Sequence, residues 1–275
     1  MEPSFFRCPV CGGALVRDDK TYRCPAGHSF DRAREGYVHL LPANQMRSKA
    51  PGDDKAMAAA RNRFLSTGGY APLRDALCKL VLAHTGPRPR VLDAGCGEGY
   101  YTAGVAQALR QNGREAQVAG VDLSKPSLRW AARRAPEAEF AVASVYHLPV
   151  SDSGADLVLD CFSPLALEEF QRVLAPGGAF LYVVPAAEHL WELKQVLYET
   201  PYKNPEEESP YQGFEYLDIL PVETRFTARG QTLQDLFQMT PYFWKTPREG
   251  ARRLAELEEL EVTAAFRIHV FRRKI

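Results

Sequence analysis

The chain has 275 residues, room for one large domain or two smaller ones, and its 45% hydrophobic content suits a globular protein with a sizeable core. Lys plus Arg and Asp plus Glu number 34 each, yet residues 1–90 hold 15 basic against 8 acidic groups, a net of +7 that the remainder balances. That basic front half points to a polyanionic partner. No apolar run approaches the roughly 20 residues of a membrane span, which excludes a membrane protein of that kind. Met1–Arg7 lacks a signal-peptide core, so the cytoplasm is the expected location and six cysteines do not argue for disulfides.

Residues 1–40 read as a compact module. Cys8, Cys11, Cys24 and His28 follow the spacing C-x2-C-x12-C-x3-H. Two close pairs on two turns can give the closed Cys3His tetrahedron of a structural zinc site, with no position left for a catalytic water. Gly12, Gly13 and Gly27 suit the knuckle turns, and short strands fit around Leu15-Val16 and Tyr22. A stretch this small buries too little apolar surface to fold alone, so a metal would stabilise it.

The stretch from Gly36 to Asp54, which includes Arg47, Lys49 and Pro51, reads as a linker, with 41–54 as its core. Asp53 or Asp54 can cap an alanine-rich helix over Ala56–Leu65, which Gly68-Gly69 ends. A second helix fits 71–84, and Tyr70 at the joint is a candidate to face a ligand. From residue 90 to the C-terminus strands and helices alternate, the mark of a parallel sheet with helices on both faces. Strand one, Val91–Asp93, runs into Gly95, Gly97, Glu98 and Gly99 and then a helix from about 100 to 110. Glycines at every second position let a ligand lie against bare backbone at a strand–helix turn. The dinucleotide fingerprint would need glycine at position 100, where Tyr100 stands. The pattern D-x-G-x-G-x-G instead resembles motif I of the class I S-adenosylmethionine methyltransferases.

Strand two, Val118–Asp122, ends in a carboxylate placed to accept from both ribose hydroxyls of an adenosine ligand. A helix over 125–135 and a strand near 139–143 follow. Ser144 stands where many such enzymes carry an Asp for the adenine amino group, so Ser144 or backbone takes that bond. Strand four, Ala155–Phe162, runs into Ser163-Pro164 rather than the Asp/Asn-Pro-Pro-aromatic motif of amino-group methyltransferases. A helix at 165–174 leads to the Pro176-Gly177-Gly178 turn and strand five, Ala179–Val184. His189 lies just beyond it, on the ligand side of such sheets. Residues 200–219, with Glu206, Glu207 and Glu208, read as a loop or lid. Strand six near Val222–Ala228 and a helix through Leu233–Met239 follow. The aromatic cluster Pro241–Trp244 stands beside Lys245 and Arg248, where it can stack bases or pack the core. A charged helix at 248–260 and a reversed strand seven, Val262–Phe271, complete a seven-stranded α/β sheet.

The zinc-ribbon spacing, the stretch Glu35–Pro42, the loop Gly95–Thr102 and the segment Gln238–Trp244 together resemble one family. It is the bacterial 23S rRNA guanine-N1 methyltransferases of the RlmA type, and the likeness covers nearly the whole chain. The resemblance implies S-adenosylmethionine contacts at Tyr70, Gly97, Glu98 and His189, zinc at Cys8, Cys11, Cys24 and His28, and a homodimer whose zinc domains line an RNA cleft. It implies a guanine of a 23S rRNA hairpin loop as acceptor, with macrolide resistance of the tylosin type in some members. DNA is not an implied partner. Guanine N1 carries a proton, so Asp160 at the end of strand four is the candidate base, with loss to water as the other route. The competing readings are a small-molecule acceptor with a purely structural ribbon, and an RNA-binding module with a vestigial pocket.

Overall fold

Four short antiparallel strands open the chain in a computed structural model that describes residues 2–45, 52–206 and 210–275. Arg47, Lys49, Pro51, Glu207 and Glu208 lie outside the described residues. The strands are β1 (Glu2–Arg7), β2 (Ala14–Arg17), β3 (Thr21–Arg23) and β4 (Ser29–Asp31), paired in that order. Next comes β5 (Tyr37–His39), which leaves this small sheet and pairs in parallel with β8 (Glu139–Val142). The stretch from Gly36, expected as linker, therefore supplies an edge strand to the large sheet. Three residues carry no readable period, which is why the sequence hid it.

Two helices follow, α1 (Lys55–Ser66) and α2 (Ala71–His84). Of the two expected caps Asp54 is the one used: its carboxylate accepts from Met57 N–H at 2.8 Å. The main alternation is β6 (Arg90–Ala94), α3 (Tyr100–Gln111), β7 (Gln117–Asp122), α4 (Lys125–Arg134), β8, β9 (Ala155–Cys161), α5 (Leu167–Val173) and β10 (Leu174–Pro185). After it come α6 (Trp191–Leu197), β11 (Phe214–Arg229), α7 (Gln231–Gln238), α8 (Tyr242–Lys245), α9 (Arg248–Ala255) and β12 (Glu259–Arg273). The sheet runs β11-β12-β10-β9-β6-β7-β8-β5, eight strands rather than the seven expected, because β5 joins its edge. β12 lies antiparallel between β10 and β11, the late reversal that the class I methyltransferase sheet requires. Strand six starts at Phe214, so the end of the expected lid is strand.

Alternation along the strands divides the interior into two cores. One holds Val91, Leu157, Leu159, Leu181 and Val183 with the apolar sides of α1–α4, α6, α7 and α9. The other holds Leu92, Ala119, Val158 and Phe180 with Phe170 and Val173 of α5 and with Phe5, Phe6, Leu15 and Tyr22 of the small sheet. The small sheet thus covers much of one face, beside α5. It is pinned there by Glu139, whose carboxylate accepts from Phe5 N–H at 2.9 Å and from the Ser4 hydroxyl at 2.7 Å. Arg90 adds a cation–π contact to Phe5 at 4.7 Å.

Candidate active site and metal centre

The two knuckles of the small sheet are closed by backbone bonds. Gly12 N–H donates to Cys8 O and Gly27 N–H to Cys24 O, with both glycines at positive φ. This brings Cys8, Cys11, Cys24 and His28 together, their ligand atoms all within 4.8 Å of one another. His28 Nδ1 stands 3.6 Å from Cys8 Sγ and 3.3 Å from Cys24 Sγ, and Cys11 Sγ is 3.7 Å from Cys24 Sγ. A tetrahedron with zinc–sulfur bonds of about 2.3 Å has edges of roughly 3.7 Å, so the donor set fits a closed structural zinc.

The second site lies at the C-terminal ends of the parallel strands, where ligands bind in open α/β sheets. A cavity of about 420 Å³ opens there, lined by the Asp93–Glu98 turn, by Arg61, Leu65 and Tyr70, and by Phe162, His189 and Tyr242 among others. Gly95, Gly97 and Gly99 all take positive φ. A Cβ on Gly95 would meet Ser163 at 2.3 Å and one on Gly99 would meet the Ala131 backbone at 2.7 Å, so those two glycines serve packing. Among the described residues a Cβ on Gly97 would meet only Arg61, at 3.8 Å, so this is the glycine left open to a ligand.

Asp93 Oδ2 accepts from the Thr102 hydroxyl at 2.5 Å, while Oδ1 is buried with no partner among the described residues. Burial pushes this carboxyl up to about 7, with the Asp122 and Glu98 charges adding to the shift. Glu98 is buried too and pairs with Arg134 at 2.8 Å, while its other oxygen accepts from Tyr100 N–H at the start of α3. The Tyr70 hydroxyl lies 3.4 Å from His189 Nε2. Burial drives His189 down to about 3, which keeps it neutral, and raises Tyr70 so that it stays protonated.

Four expected residues, Gly99, Asp122, Ser144 and Asp160, are not among those that line the cavity. The Asp122 carboxylate accepts from Gly97 N–H at 2.9 Å and Ser124 N–H at 2.7 Å, so it braces the glycine turn. Beside it Asp53 O accepts from the Ser124 hydroxyl, and Asp53 pairs with Arg61 at 3.1 Å. Ser144 also lies off the cavity, its hydroxyl accepting from Tyr146 N–H. Asp160, expected as the base, is fully buried and does not line the cavity. Strand alternation sets it with Val158 on the side opposite Leu159 and Cys161. Its Oδ1 accepts from Ser163 N–H at 3.0 Å, and burial raises the carboxyl to about 8, so it is mostly protonated at neutral pH.

Sequence reasoning missed Arg61 and Phe162. Arg61 sits one helical turn before Leu65 on the buried side of α1, and its guanidinium donates to Met239 O at 2.9 Å. A polar residue in phase with an apolar stripe was the available signal. Phe162 gave none, since its exposure depends on a backbone turn.

Comparison with known proteins shows the family. A zinc-ribbon family described as "RlmA, N-terminal" matches residues 6–49, and a methyltransferase domain family matches residues 91–178. The 23S rRNA (guanine(748)-N(1))-methyltransferase of Streptomyces fradiae is 36% identical over 98% of this chain and 96% of its own length. A Micromonospora griseorubida protein provisionally named a 23S rRNA (guanine-N1)-methyltransferase is 37% identical over 97% of this chain and 96% of its own. A Bacillus subtilis protein of the same provisional name is 31% identical over 94% of each chain.

Proposed function

The chain belongs to the family of 23S rRNA (guanine-N1)-methyltransferases, and on that footing we propose that it methylates N1 of a guanine in a hairpin loop of 23S rRNA, with S-adenosylmethionine as donor. The observation that carries this reading is the pairing, in one chain, of a closed Cys3His ribbon with a cavity over an open Gly97 turn. Bound there, S-adenosylmethionine supplies a methyl group on a cationic sulfur.

The residues divide the work. Asp93 Oδ1, without a partner, can accept from the donor's ammonium group, and Gly97 offers bare backbone. His189 is neutral and so places no positive charge against a cationic ligand. Fixing donor and acceptor in line supplies most of the catalysis, since such placement is worth high effective molarity. Asp160 is held off the cavity, so the N1 proton is assigned to water. An unpaired loop guanine costs little to extrude. The basic front half supports an RNA partner. A homodimer, to be read from sedimentation, and tylosin-type resistance, to be read from growth in drug, extend the proposal.

The packing of the ribbon against the sheet favours one competitor, a small-molecule methyltransferase whose ribbon is purely structural. Primer extension on 23S rRNA from strains with and without the protein separates them. Methylation at N1 blocks pairing, so a protein-dependent stop at a hairpin-loop guanine is expected. Identical patterns in the two strains would remove the rRNA acceptor.

A further inference from the structure

We propose that Phe162 is the platform on which the acceptor guanine stacks, a role that rests on the methyl-transfer reading above. Three observations carry it. First, Phe162 is 45% exposed at a cavity whose neighbouring side chains Tyr70, Cys161 and His189 are each 9% exposed or less. A large ring left open at a cavity offers its face to a planar partner. Second, its backbone is left-handed, with φ of +62°. Among the described residues only Ser153, Phe162 and Leu190 are non-glycine residues of positive φ, and the latter two line this cavity. Such strain persists where surrounding contacts over-determine it, and it gathers at functional sites.

Third, the contacts that impose the strain are visible. Phe162 N–H donates to Val183 O at 3.2 Å, Ser163 N–H donates to Asp160 Oδ1, and the Ser163 hydroxyl donates to Ala94 O at 2.8 Å. Asp160 is thereby a positioning residue: it holds the turn that projects the ring. Because the Ser163 hydroxyl is committed to Ala94, the turn presents an aromatic face rather than a hydrogen-bonding edge. The ring is backed by Phe266 at 5.8 Å and His189 at 6.5 Å between centroids. These stand by β12 and β10, and Phe162 lines the same cavity as Asp93, Gly97 and Glu98. Donor turn and ring thus line one space, joined through the Ser163–Ala94 bond.

Base–aromatic stacking is worth about 5- to 150-fold in affinity per base. The test compares Phe162→Leu and Phe162→Tyr with the wild type on an rRNA hairpin, after primer extension has located the target guanine. Phe162→Leu is expected to raise KM for the hairpin by roughly ten- to hundredfold. Its affinity for S-adenosylmethionine by calorimetry stays within about threefold. Phe162→Tyr, which keeps the ring, restores KM. With 2-aminopurine at the target position, fluorescence is quenched in the wild-type complex and less so with Phe162→Leu. An unchanged KM in Phe162→Leu, or failure of Phe162→Tyr to restore it, overturns the platform. A parallel loss of S-adenosylmethionine affinity also overturns it, by placing Phe162 in the donor site. A wild type that methylates no rRNA guanine removes the acceptor itself, and a normal calorimetric titration marks that outcome as a failure of the substrate reading.

Discussion

Burial holds the Asp93 carboxyl at about 7 and the Asp160 carboxyl at about 8, and the two differ in what can relieve them. For a carboxyl raised on folding, the stabilisation is fully present below its unfolded value near 4 and is lost as pH climbs through the folded one. Asp93 faces the cavity, so a cationic ligand can restore what its ionisation costs. S-adenosylmethionine should therefore bind more tightly as pH rises from 6 to 8, by up to about tenfold per unit below the Asp93 value. Calorimetry across that range should show the trend in the wild type and a flat, weaker profile in Asp93→Asn. The glycines make a second contrast. Gly99→Ala forces a Cβ into the Ala131 backbone at 2.7 Å and should lower the melting temperature with the donor absent. Gly97→Ala meets only the Arg61 tip, so it should cost about 1–2 kcal/mol of backbone strain yet abolish donor binding. Asp93 and the glycines were legible because their spacing is local. The face taken by Asp160 was not: Val158 and Asp160 visibly alternate with Leu159 and Cys161, but nothing in the strand says which side holds the cavity.

At the scale of elements α1 to α4 were legible to within a residue or two, since Asp54, Ser124 and the glycine turn mark starts chemically, whereas α6 and α8 were not anticipated and α9 ends at Ala255 rather than 260. What covers each face of the sheet was not legible, because a ribbon of alternating residues looks the same docked or free. The dock hangs on Glu139 at the start of β8, which satisfies Phe5 N–H and the Ser4 hydroxyl. Truncating it leaves a buried backbone donor unpaired, at about 1–3 kcal/mol. Glu139→Ala should thus lower the melting temperature by several degrees, at roughly 2–4 °C per kcal/mol in a chain of this size. It should also speed amide exchange at Phe5 selectively. Glu139→Gln keeps an acceptor and should recover most of both. Exchange at Phe5 unchanged in Glu139→Ala would mean that the apolar contacts of Phe5 and Phe6 alone hold the ribbon.

For the whole molecule the consequence is that the metal sits with one core, while the donor cavity at the strand ends is lined mainly from the other. The zinc set holds the knuckles, and Phe5, Phe6, Leu15 and Tyr22 behind them pack into the core that contains Leu92 and Phe180. Leu65, Tyr70, Cys96 and Tyr101, which line the cavity, belong to the other core. Zinc removal should therefore act on stability first and on donor binding second. Chelation under reducing conditions should release about one zinc per chain, the capacity of one closed four-ligand site. It should lower the melting temperature of the entire chain in a single transition and expose apolar surface to dye. Below that transition, affinity for S-adenosylmethionine should fall by less than about threefold, under 1 kcal/mol, because the lining residues Leu65, Tyr70, Cys96 and Tyr101 pack in the other core. Methylation of rRNA should be lost, and readdition of zinc should restore it. Two separate melting transitions, the larger unmoved by the chelator, would show instead that the ribbon is an appendage whose contact with the sheet contributes nothing to the fold.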